Sequence, residues 1–203
     1  SDRSLTPAST PGGVAKATGI GDDGDPLAFD TGPGNALLDD WVRERAGLPF
    51  DEGGRIAARG RPDEALLAWL LVHPYFTRVP PKSLDRNWFT HRLASHLSLE
   101  DGAATLAALT ARTVARAQDF MPVRPRRWIV AGGGAENAEI LKLLAGRVSG
   151  EVVTARTLGW SESHLEAQAF AFLAMRSLRG LPLSYPSTTG VPQALTGGVL
   201  HTP

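Results

Sequence analysis

The sequence contains no cysteine among its 203 residues. The chain therefore has no disulfide framework, no thiolate zinc site and no cysteine nucleophile. This absence fits a reducing compartment, and we expect a cytoplasmic protein. No apolar run approaches the roughly 20 residues that span a bilayer, and no charged-then-apolar leader opens the chain, so we expect neither a membrane partner nor secretion.

Neither positive nor negative charge is in excess. The 21 lysines and arginines balance 21 aspartates and glutamates, which gives a formal net charge of zero. Broad basic faces for nucleic acid and polybasic membrane anchors both need an excess of positive charge, so the sequence argues against both classes of partner. The length and the 42% share of hydrophobic residues suit a globular chain with a single core.

The histidines show no metal-ligand spacing. His91 and His96 are separated by five positions, which does not align them as a helical i, i+4 ligand pair. We therefore predict no metal site built from protein side chains alone.

Glycine and proline clusters divide the chain into segments. Residues 1–26 are rich in Ser, Thr, Pro, Gly and Asp, and such a composition buries too little apolar surface to offset backbone entropy. We expect a flexible tail or loop there, followed by one lobe over residues 27–203. Strand–turn–helix units and long helices in that lobe predict an α/β, mixed helix-and-sheet fold.

The individual elements are predicted from periodicity and capping residues. Asn35 is a suitable N-cap, Gly47 a suitable helix stop, and Ser163 with Glu166 forms a capping box. The predicted elements are strands at 27–30, 127–130 and 148–154, turns at 31–34 and 132–134, helices at 35–45, 62–72, 99–120, 135–145 and 163–179, and loops at 77–86 and 181–203.

The first candidate site is Asp30 with the turn that follows it, Thr31-Gly32-Pro33-Gly34-Asn35. An aspartate at the carboxyl end of a strand lies in the crevice where α/β sheets bind ligands. Gly32 and Gly34 allow backbone N–H groups to approach an anion, and the following helix N-terminus adds partial positive charge. A carboxylate beside a phosphate site can act as a general base. The alternative is an aspartate that only hydrogen-bonds the turn.

Two further candidates carry weaker signals. Gly132-Gly133-Gly134 with Asn137 follows a strand and opens a helix, which suggests close approach to a nucleotide, although a tight turn without a ligand has the same pattern. Glu166 is the third candidate, but a glutamate there also completes a capping box. Lys82, Arg86 and Arg92 have the charge to bind phosphate, but we expect them at solvated surface positions.

Taken together, these motifs resemble the anhydro-N-acetylmuramic acid kinase family. The first motif and the conserved order of the whole set make the resemblance specific. The matching stretches are residues 28–39 (AFDTGPGNALLD), 73–76 (HPYF), 80–83 (PPKS), 104–106 with 109–111, 132–137 (GGGAEN), 158–159, 166–167 with 169–171, 189–192 (TGVP) and 195–199 (LTGGV).

The resemblance implies a ribonuclease-H-like lobe of the sugar-kinase, Hsp70 and actin superfamily, in which ATP lies between two such lobes. It implies ATP and Mg²⁺ as cofactors and 1,6-anhydro-N-acetylmuramic acid as substrate. The product would be N-acetylmuramic acid 6-phosphate, formed in peptidoglycan recycling. The resemblance also makes a homodimer the expected assembly.

The resemblance implies roles for the candidate residues. Asp30 would be the base that activates water to attack the anomeric carbon, and the sugar oxygen released would take the phosphoryl group. The residues expected to contact phosphate or sugar are Thr31, Gly32, Gly34, Asn35 and Glu166. The residues expected to lie against the nucleotide are Gly132, Gly133, Gly134 and Asn137.

Family members carry a Gly-Thr-Ser-x-Asp-Gly phosphate loop on their first lobe, and residues 1–26 do not supply it. We therefore expect this chain to correspond to the C-terminal half of such a kinase, and to be inactive in isolation. Two alternatives stay open. One is a non-catalytic nucleotide- or sugar-binding module that retains the lobe fold, and the other is a structural or assembly domain.

Overall fold

The structure, a computed structural model, describes residues 13–20, 26–161 and 164–201, without the side chains of residues 20, 165 and 166. It mixes helices with short sheets, as the sequence predicts. The strands are β1 (Ala15–Ile20), β2 (Pro26–Gly32), β3 (Arg127–Val130) and β4 (Glu151–Thr154), and the helices are α1 (Ala36–Ala46), α2 (Glu64–Leu71), α3 (Leu99–Ala115), α4 (Ala138–Ala145), α5 (Leu165–Leu178) and α6 (Pro186–Thr189).

Strands β1 and β2 form an antiparallel hairpin in which Lys16 lies opposite Asp30. The predicted flexible tail over residues 1–26 is therefore wrong for β1, while residues 1–12 and 21–25 lie outside the described part of the chain. The buried positions of β1 hold only small residues, Ala15, Ala17 and Gly19. Small side chains bury little apolar area each, so the alternation carries no strong hydrophobic signal. Pairing with β2 completes the strand.

Strands β3 and β4 pair in parallel, with Trp128 opposite Val152 and helix α4 in the connection between them. The strand predicted at 127–130 is confirmed. The strand predicted from residue 148 begins at Glu151 instead. Trp128 is fully buried, and its indole N–H donates to the carbonyl of Ser149 at 3.1 Å, which ties the approach to β4 to the neighbouring strand.

Helix α3 forms the centre of the core. It packs against α1, α2 and α4, and Ala103, Ala107 and Ala111 are fully buried along it. Small side chains let the neighbouring helices approach the α3 backbone closely, and a helix that is apolar on most sides is expected in a core. Trp41 of α1 is also buried, and its indole N–H donates to the Leu99 carbonyl at 2.9 Å.

Several predicted boundaries shift because 3₁₀ turns replace the ends of helices. Helix α3 stops at Ala115 and a 3₁₀ turn continues to Phe120. Helix α4 begins at Ala138 rather than Ala135, because residues Gly133–Glu136 form a 3₁₀ turn. The predicted C-terminal loop contains α6 and a bridge between Ser184 and Leu195.

Helix α5 carries large apolar side chains on the surface. Phe170, Phe172, Met175 and Leu178 are each about half exposed or more, and such groups of exposed apolar residues mark interaction surfaces. The predicted capping box requires Ser163, which lies outside the described residues. Across the described ranges, no helix has both the length and the apolar character needed to cross a membrane.

The packing of α3 on Trp41 predicts opposite outcomes for two glycine-to-alanine changes. A Cβ at Gly102 would overlap the buried Trp41 indole. Overpacking of this kind costs roughly 1–3 kcal/mol, against a helix-propensity gain of about 1 kcal/mol. We expect Gly102→Ala to lower the free energy of unfolding in urea.

Gly146→Ala is the matched control. Gly146 has helical backbone angles, and its added Cβ would meet the Lys142 and Leu143 carbonyls at 3.7 and 3.9 Å, which are ordinary contact distances. We expect this variant to be as stable as the parent chain or more so. Equal stability of the two variants would contradict the described contact between α1 and α3.

Candidate active site

A pocket of about 440 Å³ opens beside Asp30. Its volume lies in the range of small-molecule sites. Both strands of the hairpin contribute to it, as do the loop that precedes Leu84 and the start of the C-terminal segment. The lining residues are Lys16, Thr18, Ala28, Phe29, Asp30, Pro81, Lys82, Ser83, Thr188, Thr189 and Gly190.

Hydrogen bonds hold Asp30 on three sides. Its N–H donates to the Lys82 carbonyl at 3.0 Å, and its Oδ2 accepts from the Leu84 N–H at 2.8 Å. The Tyr75 hydroxyl donates to the Asp30 carbonyl at 2.6 Å. Burial raises the pKa of Tyr75 above its ordinary range, so this donor stays protonated. Among the described residues, the second carboxylate oxygen, Oδ1, has the Lys16 ammonium at 3.7 Å as its partner, and it can accept a proton from a bound water.

Lys82 is buried, which corrects its placement on a solvated surface. The side chain is 7% exposed, and its ammonium donates to the Tyr75 carbonyl at 3.2 Å. It lies 4.5 Å from the ring centroid of Phe120, within cation–π range. Burial lowers the pKa of Lys82 to about 8, and the positive charges of Arg116 and Arg78 add to that effect. The ammonium therefore anchors the loop that holds Asp30.

The turn residues after Asp30 pack the hairpin against α3. Thr31 is buried and donates from Oγ1 to the Ala15 carbonyl at 3.1 Å. A Cβ at Gly32 would lie 2.5 Å from Thr113 Oγ1, and one at Gly34, whose φ is +59°, would lie 2.8 Å from the Ala15 nitrogen. Close packing explains both glycines without a ligand. None of the three turn residues lines the described pocket.

Asn35 joins the first candidate motif to the second. It occupies the predicted N-cap position of α1 without a side-chain cap: its Nδ2 donates to Asp39 Oδ1 at 2.9 Å, and its own Oδ1 is buried without a hydrogen-bond partner among the described residues. Burial raises the pKa of Asp39 to about 6, so near neutral pH that carboxylate is mainly ionised and accepts the amide protons. A Cβ at Gly133 would have Asn35 Nδ2 as its nearest neighbour, 4.0 Å away in otherwise open space.

The second candidate motif consists of the turn Gly132–Gly134 and Asn137. Gly132 adopts a φ of +78°, which favours glycine, and Gly134 is buried. Asn137 caps α4 by accepting the Ile140 N–H at 3.0 Å, while its Nδ2 is buried without a partner. Both unpartnered atoms are enclosed by protein, and the open space in this motif is the one at the Gly133 Cβ position.

Two other predictions concern Glu166 and metal binding. Glu166 belongs to the first turn of α5 by its backbone, and its side chain lies outside the described part of the structure. Within the described residues, no three His, Cys, Asp or Glu side chains come together in a way that could hold a metal ion.

Lys16 and the segment Thr188–Gly190 line the pocket but were not predicted as site residues from the sequence. Lys16 fell in the predicted tail, where only the alternation of small residues could have indicated a strand. The C-terminal segment reaches the pocket because Ser187 donates to the Pro26 carbonyl at 2.5 Å, 161 positions away in sequence. No local pattern predicts a contact of that separation.

A protein-family model and several known proteins match nearly the whole chain. The family model for anhydro-N-acetylmuramic acid kinase matches residues 4–203. A kinase of that name from Methylobacterium nodulans is 66% identical over 192 residues, which cover 95% of this chain and 51% of the relative. Those from Methylorubrum extorquens and Rhodospirillum rubrum are 58% and 53% identical, covering 51% and 50% of their lengths. The chain thus spans about half the length of the curated relatives it matches.

Similarity to solved structures is low. An activator of 2-hydroxyisocaproyl-CoA dehydratase from Clostridium difficile, with bound ADPNP, matches with a TM-score of 0.46 and 16% identity. That match covers 74% of this chain and 52% of the other. Similarity of this degree supports no conclusion about fold or ligand.

The buried ammonium of Lys82 predicts a pH-dependent stability. Its pKa falls from 10.5 in the unfolded chain to about 8 in the folded one. Between these values the unfolded state holds a proton that the folded state has lost, so stability rises with pH in this window. We expect the free energy of unfolding of the parent chain, minus that of Lys82→Met, to increase from pH 8 to pH 10.5.

Lys142→Met serves as the control, because the Lys142 side chain is 74% exposed and lies on α4. Its difference from the parent chain should stay flat over the same range. A flat difference for Lys82→Met as well would show that Lys82 is not buried as described.

Proposed function

The chain belongs to the anhydro-N-acetylmuramic acid kinase family, and on that premise we propose that it carries the water-activating half of an ATP-dependent anhydro-sugar kinase. The substrate would be 1,6-anhydro-N-acetylmuramic acid and the product N-acetylmuramic acid 6-phosphate. The observation that carries this proposal is the arrangement of Asp30, whose Oδ2 accepts the Leu84 N–H while Oδ1, 3.7 Å from the Lys16 ammonium, has no hydrogen bond from the described residues.

The proposed reaction has two coupled parts. Asp30 Oδ1 takes a proton from water as the water oxygen bonds to the anomeric carbon. The bond from that carbon to the bridging sugar oxygen breaks, and this oxygen attacks the γ-phosphorus of ATP, with ADP leaving. The proton on Asp30 then passes to solvent. A general base contributes typically 10²–10⁴-fold in rate when it lies within hydrogen-bond reach of the proton it takes.

Fixing the carboxylate matters because catalysis by proton transfer depends on geometry. The Leu84 N–H, the Lys82 carbonyl and the Tyr75 hydroxyl restrain the side chain and backbone of Asp30. Misplacement by about 1 Å can cost on the order of 100-fold in rate. We infer that the buried Lys82 anchor supports this restraint.

The nucleotide would lie along the turn Gly132–Gly134. The open space at the Gly133 Cβ position supports this placement. Mg²⁺ would supply charge neutralisation on the ATP phosphates, since it is commonly held by one or two carboxylates together with substrate phosphates. The described residues offer it no cluster of three ligands.

The remaining features of the proposal follow from the family. They are a ribonuclease-H-like lobe, a cytoplasmic location where ATP is available, and a homodimer. The large apolar side chains exposed on α5 support association with further protein.

A second candidate is a non-catalytic module that binds a nucleotide or sugar. The pocket beside Asp30 and the open space at Gly133 suit ligand binding whether or not phosphoryl transfer follows. The two candidates can be distinguished with a fusion protein. It links this chain to the half of the Methylobacterium nodulans relative that the match leaves uncovered, and it is called the joined protein below. The kinase proposal expects turnover from it, and the module expects binding only.

Asp30→Asn in the joined protein tests the base. The change keeps size and hydrogen bonding but removes the proton acceptor, so we expect the release of 6-phosphate sugar to fall roughly 10²–10⁴-fold. ATP affinity measured by calorimetry should be nearly unchanged. Asp85→Asn is the control, since Asp85 caps the neighbouring 3₁₀ turn away from the pocket lining. Near-normal turnover of the Asp30 variant would remove Asp30 from the mechanism.

Gly133→Val tests the nucleotide site. A valine Cβ there meets no protein atom closer than 4.0 Å, so thermal stability should be preserved. The same side chain would occupy the space against the nucleotide, and we expect ATP affinity to fall at least about tenfold, which corresponds to 1.4 kcal/mol. Gly146→Val, at the end of α4, should leave ATP binding intact. Equal ATP affinity of the parent protein and Gly133→Val would contradict a nucleotide site at this turn.

A further inference from the structure

The hairpin register places a lysine in the pocket. Lys16 of β1 pairs with Asp30 of β2, and both line the pocket together with Thr18. The alternate residues Ala15 and Ala17 point away from it and are buried. Because successive side chains of a strand point to opposite faces, a shift of one residue would bury Lys16. Its position is therefore set by the same pairing that builds the hairpin.

The Lys16 ammonium is available to a ligand. Its side chain is 50% exposed, and its contact in the described structure is the Asp30 carboxylate, with Nζ 3.7 Å from Oδ1. That distance exceeds a hydrogen bond. Lys82, the other lysine of the lining, uses its ammonium on the Tyr75 carbonyl instead. Lys16 is thus the lining lysine whose donors remain free.

Strand β1 also borders a second, small internal cavity, whose lining includes Ala15, Lys16 and Gly134. The Lys16 ammonium itself lies in the Asp30 pocket, 3.7 Å from Oδ1.

We propose that Lys16 is the anion-binding residue of this pocket, and that its ammonium binds a carboxylate or phosphoryl oxygen of the ligand. The identity of the ligands rests on the proposed function, in which the sugar carries a lactyl carboxylate and ATP carries the γ-phosphate. A lone ionised Asp30 would repel either anion. Lys16 cancels that charge, so the pocket admits an anion while Asp30 Oδ1 stays open to water.

A purely structural role for Lys16 is a weaker explanation. The Lys16 side chain is half exposed and its ammonium lies 3.7 Å from Asp30 Oδ1, whereas the Leu84 N–H already orients the Asp30 carboxylate at 2.8 Å. The position of Asp30 therefore does not depend on the Lys16 contact.

The test uses the joined protein with Lys16→Met, Lys16→Arg and the control Lys142→Met. Calorimetry measures the affinity of four probes: 1,6-anhydro-N-acetylmuramic acid, its counterpart without the lactyl group 1,6-anhydro-N-acetylglucosamine, ATP and ADP. Hydrogen bonds to charged groups contribute about 1.5–3 kcal/mol. We therefore expect Lys16→Met to weaken one anionic probe about 10- to 100-fold, and Lys16→Arg to retain most of the affinity.

The pattern of losses identifies the anion. Weaker binding of the muramic sugar with unchanged binding of the glucosamine sugar assigns Lys16 to the carboxylate. Weaker binding of ATP with unchanged ADP assigns it to the γ-phosphate. Unchanged affinity for all four probes, or an equal loss for all four, overturns the inference. A parent protein that binds neither sugar nor ATP overturns the proposed function, and the inference with it.

Discussion

The site depends on the loop that runs from Lys82 to Leu84 along the far side of β2. Its carbonyl and amide groups hold the backbone and the carboxylate of Asp30 at 3.0 and 2.8 Å, and β1 pairs with the other side of the same strand. The loop is itself held by the buried Lys82 ammonium, which donates to the Tyr75 carbonyl. Burying an ammonium is unfavourable unless hydrogen bonds and ring contacts offset the loss of water. Lys82 has both.

Glycines in the two motifs have different physical causes. Gly32 and Gly34 are explained by the close approach of Thr113 and Ala15, so their presence does not require a ligand. Gly133 has no left-handed φ, and the nearest atom to its Cβ position is Asn35 Nδ2 at 4.0 Å. Neither backbone conformation nor close packing therefore requires a glycine there. The prediction of a nucleotide site is therefore better supported at Gly133 than the prediction of a phosphate site at Gly32.

Elements set by local rules could be predicted from the sequence. Strand β3 and the end of α1 at Gly47, with its φ of +67°, follow from short patterns of apolar residues and a glycine stop. The burial of Lys82, the strand that carries Lys16 and the approach of Thr188–Gly190 could not, because each depends on residues far away in sequence. Asp30 itself was predicted, since a strand, an aspartate and a glycine turn are adjacent in the chain. Its restraints were not.

We propose that this chain is half of a catalytic unit, because Asp30 and the turn Gly132–Gly134 lie in it while the relatives are about twice as long. The most direct measurement compares 6-phosphate sugar release by the 203-residue chain alone with release by the joined protein. Both are supplied with ATP, Mg²⁺ and 1,6-anhydro-N-acetylmuramic acid. We predict no measurable turnover from the chain alone and clear turnover from the joined protein. Robust turnover by the chain alone, or none from a folded joined protein that binds both substrates, would contradict the account.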